Sequence, residues 1–182
     1  MEIVAIVWVL GLATWVLLPV ISEKRTVAAR TRCLNNLDQI GKALSSYMTA
    51  NGERWPFVSK LSSIKVGTES DQWQTLPAVL ESFLQMDSDA YRCPLDSRSS
   101  ETGDADTYYE SEGLSYEWFW SEARGGRKIG EESISNAKGF GFGRADQRVL
   151  SDFEAFHEGT GGGGYNILFA DFVARESITR PR

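Results

Sequence analysis

The sequence predicts an α+β protein carried on a membrane anchor, and three observations lead there. An uncharged apolar run over residues 3–22 opens the chain. An amphipathic stripe continues directly from it, and short aromatic and β-branched segments bounded by turn residues gather in the second half. A spanning helix, a surface helix and a small antiparallel sheet are the elements these patterns dictate.

At about 1.5 Å of rise per residue, the apolar run as a helix covers roughly the ~30 Å hydrocarbon core. The chain therefore divides into a transmembrane segment, 1–22, and one globular domain, 23–182. A cleaved secretory signal would carry basic residues before a shorter run and small residues at its end. Nothing basic precedes this run, and Pro19-Val20-Ile21-Ser22 is a poor cleavage sequence, so the span is expected to stay. The domain has six Trp, nine Phe and six Tyr in the whole chain to draw on for a core. A net charge of −6 and a pI near 4.9 argue against nucleic acid as a partner, because phosphate binding needs a basic face. Lys24, Arg25, Arg30 and Arg32 follow the span, and the positive-inside rule alone would place the domain in the cytoplasm.

Val27, Leu34, Leu37, Ile40, Leu44 and Met48 recur at spacings of three, four and seven, so the first helix runs on as an amphipathic one. Asn51-Gly52 ends it and Pro56 blocks continuation. The expected element is one helix of about fifty residues, kinked at Pro19, half in lipid and half lying on the domain. A second helix is predicted over 76–86, with Thr75 as N-cap and Pro77 in its first turn. Residues 87–115 read as exposed loop, and the acids of 101–117 lack the spacing of a Ca²⁺ loop. Strands are predicted at 116–120, 148–151, 165–170 and 172–175, with Asp171 at the tip of a closing hairpin and 161–164 as a glycine-rich loop insertion.

The opening "MEIVAIVWVLGLATWVLLPVISEKR" resembles the N-terminus of type IV pilins and type II secretion pseudopilins, with Glu2 and Pro19 in the family's register. "CLNNLDQIGKALSSYMTANGERWP", "YRCPLD", "LSYEWF" and "YNILFADFVAR" are similar, in family order, to the C-x-x-N-L-x-Q-I-G-x-A-L-x-x-Y, C-P-x-D, S-Y-x-x-N and N-V-L-F-x-D-G-H-V patterns of one pseudopilin branch. The resemblance implies a pilin-like fold, with the long helix packed on a small antiparallel sheet. It implies assembly with copies of itself or related pseudopilins through that helix, in membrane lipid, into a pilus or pseudopilus. Glu2 would meet the amine that starts a neighbouring subunit, and Pro19 would let the helix bend between bilayer and filament. It also implies an inner-membrane single-pass protein with its domain outside the cytoplasm, which overrides the positive-inside reading. The family's basic leader and glycine cleavage site are not found ahead of Met1. Either the start lies upstream of Met1 or this member is not processed; the first is the expectation, with a prepilin peptidase as partner if an upstream leader exists. Two further departures stand out: His157 lies fourteen positions before Asp171 rather than ten, the surplus falling in the 161–164 loop, and Phe172 replaces a glycine.

An exported domain is one in which disulfides form, so Cys33 and Cys93 are expected as a structural disulfide or two buried thiols. As a bonded pair they would close a loop of about sixty residues, adding about 4 kcal/mol. With two cysteines and one histidine in the chain, no zinc site is expected and no cofactor is implied. Ser151, Asp152 and His157 are the types a hydrolase triad uses, and Glu154 and Glu158 could act as acids. They match no G-x-S-x-G elbow, and the chain is expected not to be an enzyme. A cation site among Asp152, Glu154 and Glu158 is a loose similarity to some pseudopilins and is not assigned. The alternative function is a tethered extracytoplasmic binding module, with Trp118 and Trp120 as sugar-stacking candidates, although Trp in so aromatic a domain belongs more often to the core.

Overall fold

The computed structural model describes residues 2–59, 61, 74–98, 105–119, 125–126, 128, 147–157 and 164–177, without the side chains of 2–7, 9–23 and 26. Its architecture is one long helix, α1 (Glu2–Ala50), against a four-stranded antiparallel sheet of β1 (Tyr116–Trp118), β2 (Arg148–Asp152), β3 (Tyr165–Phe169) and β4 (Ala174–Ser177), in spatial order β1-β2-β3-β4. Sequential order in space follows from the short hairpin between β3 and β4 and the antiparallel pairing throughout. Two short helices, α2 (Leu76–Leu80) and α3 (Tyr108–Glu112), and a single 3-10 turn, Asp89–Tyr91, complete the body.

The buried stripe of α1 begins at Arg30 and runs through Cys33, Leu37, Ile40, Leu44 and Met48. Its 3.6-residue periodicity lays one face on β3 and β4. Val27, predicted to lie in that stripe, is exposed instead, because the helix has not yet reached the body there. The C-terminus closes as Asn51-Gly52 predicts: Gly52 takes φ +65°, and the Glu53 N–H donates back to the Met48 carbonyl at 2.7 Å. Among the described residues, no helix is long and apolar enough to cross a membrane. Of the expected span the backbone belongs to α1, while its side chains other than Trp8, those of Glu2 and Pro19 included, lie outside what the structure describes.

Three expectations are corrected. α2 ends at Leu80 rather than at Met86: the chain tightens there into i→i+3 turns, with the Phe83 N–H on the Leu80 carbonyl at 2.8 Å, and Phe83 meets Tyr47 of α1 edge-on while Met86 stays exposed. Its start is as predicted, with the Thr75 hydroxyl accepting from the Ala78 N–H. The stretch 87–115 holds the 3-10 turn and α3 rather than only loop. α3 is nucleated by Thr107, whose hydroxyl accepts from the Glu110 N–H, and stopped by Gly113 at φ +76°. β4 starts at Ala174, since 170–172 form the turn. There Asp171 accepts from the Val173 N–H and pairs with Arg175, which holds the Asp171 carboxyl below the usual carboxylate range. Phe172 stands at φ +61°, a left-handed conformation that favours glycine and costs another residue about 1 kcal/mol or more. Its ring packs on Trp55, with centroids 5.9 Å apart, which offsets part of that cost. The close backbone approach lies across the interface, at Gly41 of α1. A Cβ there would stand 2.8 Å from both the Phe172 carbonyl oxygen and Leu168 Cδ1.

Candidate functional site: a buried sulfur, imidazole and carboxylate cluster

The site grows from two tethers on α1. Cys33 faces the body, and Asn36, one turn on, faces the same way. The Asn36 amide donates to the carbonyls of Asp89 at 3.1 Å and Arg92 at 2.8 Å, which fixes the 3-10 turn beside the helix. Cys93 thereby arrives against Cys33 at disulfide distance, with Cα atoms 4.9 Å apart. The "CPLD" turn then closes by Asp96 N–H to Cys93 O at 3.0 Å. The Asp96 carboxylate accepts from the N–H groups of Tyr108 and Tyr109 at the start of α3 and from the Ser115 hydroxyl at 2.6 Å, while Ser115 Oγ accepts from the Cys93 N–H. Asn36, Asp96 and Ser115 received no role from the sequence. The available signal was their place inside C-x-x-N, C-P-x-D and S-Y.

Behind the sulfurs lies a second layer. β2 delivers Asp152 at its end, the following turn brings His157 inward, and β3 adds Asn166. All three side chains are buried. His157 Nε2 is 3.2 Å from Asp152 Oδ2, 2.8 Å from the Asn166 amide and 3.8 Å from Cys93 Sγ. Asp152 Oδ2 also accepts the Asn166 backbone N–H at 2.5 Å. Burial raises the Asp152 pKa, opposed by the hydrogen bonds from His157 and from the Asn166 N–H. With the Asn166 amide oriented to present Oδ1, a proton on Nε2 serves both that oxygen and the carboxylate. The His157 N–H donates to the Gly164 carbonyl at 3.3 Å, which ties the end of the turn after β2 to the start of β3 beside the cluster.

The triad types are brought together only in part. Asp152 and His157 meet, but Ser151 Oγ donates to the Asp152 backbone carbonyl. The carboxylate and Cys93 also face the same ring nitrogen, whereas a Ser-His-Asp relay uses the two opposite ones. Glu154 accepts from the Tyr108 hydroxyl at 2.5 Å, and Glu158 lies outside the described residues. Burial and the bond to Glu154 push the Tyr108 phenol up to about 12. Trp118 is buried in the core, which removes it as a stacking platform, and Trp120 lies outside the described residues. A cleft of about 320 Å³, lined by Arg32, Asp89, Arg92, Cys93 and Asp96 among others, opens in front of the disulfide. Comparison with protein-family models, with curated proteins and with solved structures finds no match to this chain.

Proposed function

We propose that the chain is a membrane-anchored, pilin-like or pseudopilin subunit that assembles through the N-terminal half of α1, with its domain outside the cytoplasm. One observation carries this reading: α1 runs for 49 residues, yet its buried positions among the described residues all lie between Arg30 and Met48. Trp8, Lys24, Arg25 and Val27 are exposed. A helix that extends so far beyond the body it supports offers its free half to another environment, and the apolar sequence there suits lipid or the same half of a second copy. The disulfide fits an oxidising compartment. Glu2 would act in register: a carboxylate near the end of a span is expensive, about 3 kcal/mol toward the centre, unless it meets a cation. The amine of a neighbouring chain is such a partner, and Pro19 would loosen the helix between the two environments.

The test places a photo-cross-linker at Trp8 and compares the parent with Glu2→Ala in envelope membranes. The expected result is a ladder of cross-linked copies in the parent and fewer in Glu2→Ala, with insertion and the domain fold unchanged. Monomers alone in the parent, or equal ladders in both, would overturn the assembly role. The second reading, a tethered binding module, draws on the polar cleft in front of Cys93. It predicts saturable ligand binding that Arg92→Ala abolishes, with no cross-linked ladder.

A further inference from the structure

A disulfide that only staples a helix to a loop has no use for an imidazole and a carboxylate buried behind it. Here Cys33 Sγ, Cys93 Sγ and a ring nitrogen of His157 all lie within 4.8 Å of one another, and all three residues are buried. Asp152 Oδ2 stands 3.2 Å from Nε2, and its other oxygen, Oδ1, is buried with no hydrogen bond. These distances have a chemical meaning. With Zn–S near 2.3 Å and Zn–N near 2.0–2.1 Å, a tetrahedral zinc site has S–N edges of about 3.5 Å and N–O edges of about 3.3 Å. The observed Cys93 Sγ to Nε2 and Nε2 to Oδ2 separations, 3.8 and 3.2 Å, are close to those edges. Of the edges measured here, only the covalent S–S bond has to give way, to a non-bonded edge of about 3.7 Å.

We propose that the reduced chain holds a thiophilic divalent cation of the Zn²⁺ class on Cys33 Sγ, Cys93 Sγ and His157 Nε2, with the Asp152 carboxylate beside the fourth position. The cluster is then a clasp with two closed forms, one disulfide-bonded and one metal-bound, both joining α1 to the turn at Cys93. An external dithiol becomes a disulfide as it delivers two electrons and two protons to the Cys33–Cys93 bond. Cation binding next releases both thiol protons, while the imidazole proton moves to Nδ1 so that Nε2 can ligate. The cleft lined by Arg32, Arg92 and Cys93 is the approach to the sulfurs. Asn166, whose amide sits 2.8 Å from Nε2 in the disulfide form, turns toward the carboxylate instead. Nothing in this proposal depends on the assembly reading.

The experiment uses the full chain in detergent, reduced with a non-chelating phosphine and titrated with Co²⁺. The expected result is one Co²⁺ per chain, with a thiolate-to-cobalt charge-transfer band and intense visible bands of tetrahedral geometry that Zn²⁺ bleaches. Zn²⁺ should also raise the melting temperature of the reduced chain. His157→Ala should weaken binding at least tenfold and abolish the tetrahedral bands. Asp152→Asn, which keeps the shape of the side chain, should weaken it about tenfold. Absence of the bands in the reduced parent would overturn the site. So would equal bands and affinity in His157→Ala, the result expected if two thiolates of an opened chain bind the ion by themselves.

Discussion

Gly41→Ala is the sharpest test of how α1 is seated. In the middle of a helix, alanine is favoured over glycine by about 1 kcal/mol, so propensity alone predicts a more stable protein. The structure predicts the reverse. The added methyl would stand 2.8 Å from Leu168 Cδ1 and 2.8 Å from the Phe172 carbonyl oxygen. The leucine can turn aside, but the carbonyl belongs to a turn pinned by Phe172 N–H to Phe169 O at 2.9 Å and by Phe169 N–H to Val173 O at 3.1 Å. Moving it means moving the β3–β4 hairpin against the helix. Overpacking of this kind costs about 1–3 kcal/mol, and subtracting the propensity gain leaves a net loss of up to about 2 kcal/mol. For a chain of this size that lowers Tm by as much as about 4–8 °C. Scanning calorimetry of the detergent-solubilised chain reads it. Gly52→Ala is the control, since nothing lies within 4 Å of its Cβ and only the φ of +65° resists substitution. A higher Tm for Gly41→Ala, the outcome of helix propensity alone, would refute the close approach. Rescue of the loss by Leu168→Val would assign it to the side chain rather than to the carbonyl.

Three further outcomes follow from the cluster. Cys93→Ser should destabilise the domain by about 4 kcal/mol, from the chain entropy of a closed loop of 60 residues, read by urea unfolding. In the parent both cysteines should resist alkylation until a reductant is added, and ready labelling without one would count against the bond. Asp152→Asn should alter the pH dependence of stability. Because burial raises the Asp152 pKa in the fold, its favourable contribution is complete below the unfolded carboxylate value and is lost as pH rises through the raised one. The stability of the parent relative to Asp152→Asn should therefore fall as pH climbs through that window. A difference that grows with pH would show that His157 outweighs burial.

Legibility in the sequence followed the range of the interactions involved. The stripe from Leu37 to Met48, the stop at Asn51-Gly52, the cap at Thr75 and the existence of four strands are local patterns and were legible, although β1 is shorter than predicted and β4 starts two residues later. The hairpin at Asp171 was legible for the same reason. α3 was hidden because five residues in an acidic stretch carry no stripe. Its only signals were the cap Thr107, Glu110, whose carboxylate accepts from the Asp106 N–H, and the stop at Gly113, without an apolar face between them. The cluster was hidden for a different reason. Asp152 and His157 were named for their chemistry, but nothing in the order of residues joins them to Asn166. The pairing of β2 with β3 does that, and the tethers of Asn36 and Arg32 to the 3-10 turn bring Cys93 to Cys33.

The placement of these tethers bears on why so much is concentrated at one level of the molecule. α1 meets the body at Arg30, which pairs with Glu176 of β4, and three residues on at Cys33, bonded to the turn before α3. Asn36 and Gly41 follow within two and a half turns. If copies are held together by the free half of α1, as proposed, any axial pull on a subunit enters the domain along that helix and reaches these contacts first. Apolar packing from Leu37 to Met48 would resist such a load only by sliding past the sheet, since hydrophobic burial is not directional. A covalent bond at Cys33, an ion pair to the edge strand and a backbone-tight seat at Gly41 each oppose translation directly. The buried Asp152–His157–Asn166 layer then holds the sheet against the far side of the same bond. On this argument the domain is built less to stabilise itself than to keep its spine from being drawn out. The Cys93→Ser variant should accordingly lose cross-linked ladders under shear before it loses its fold at rest.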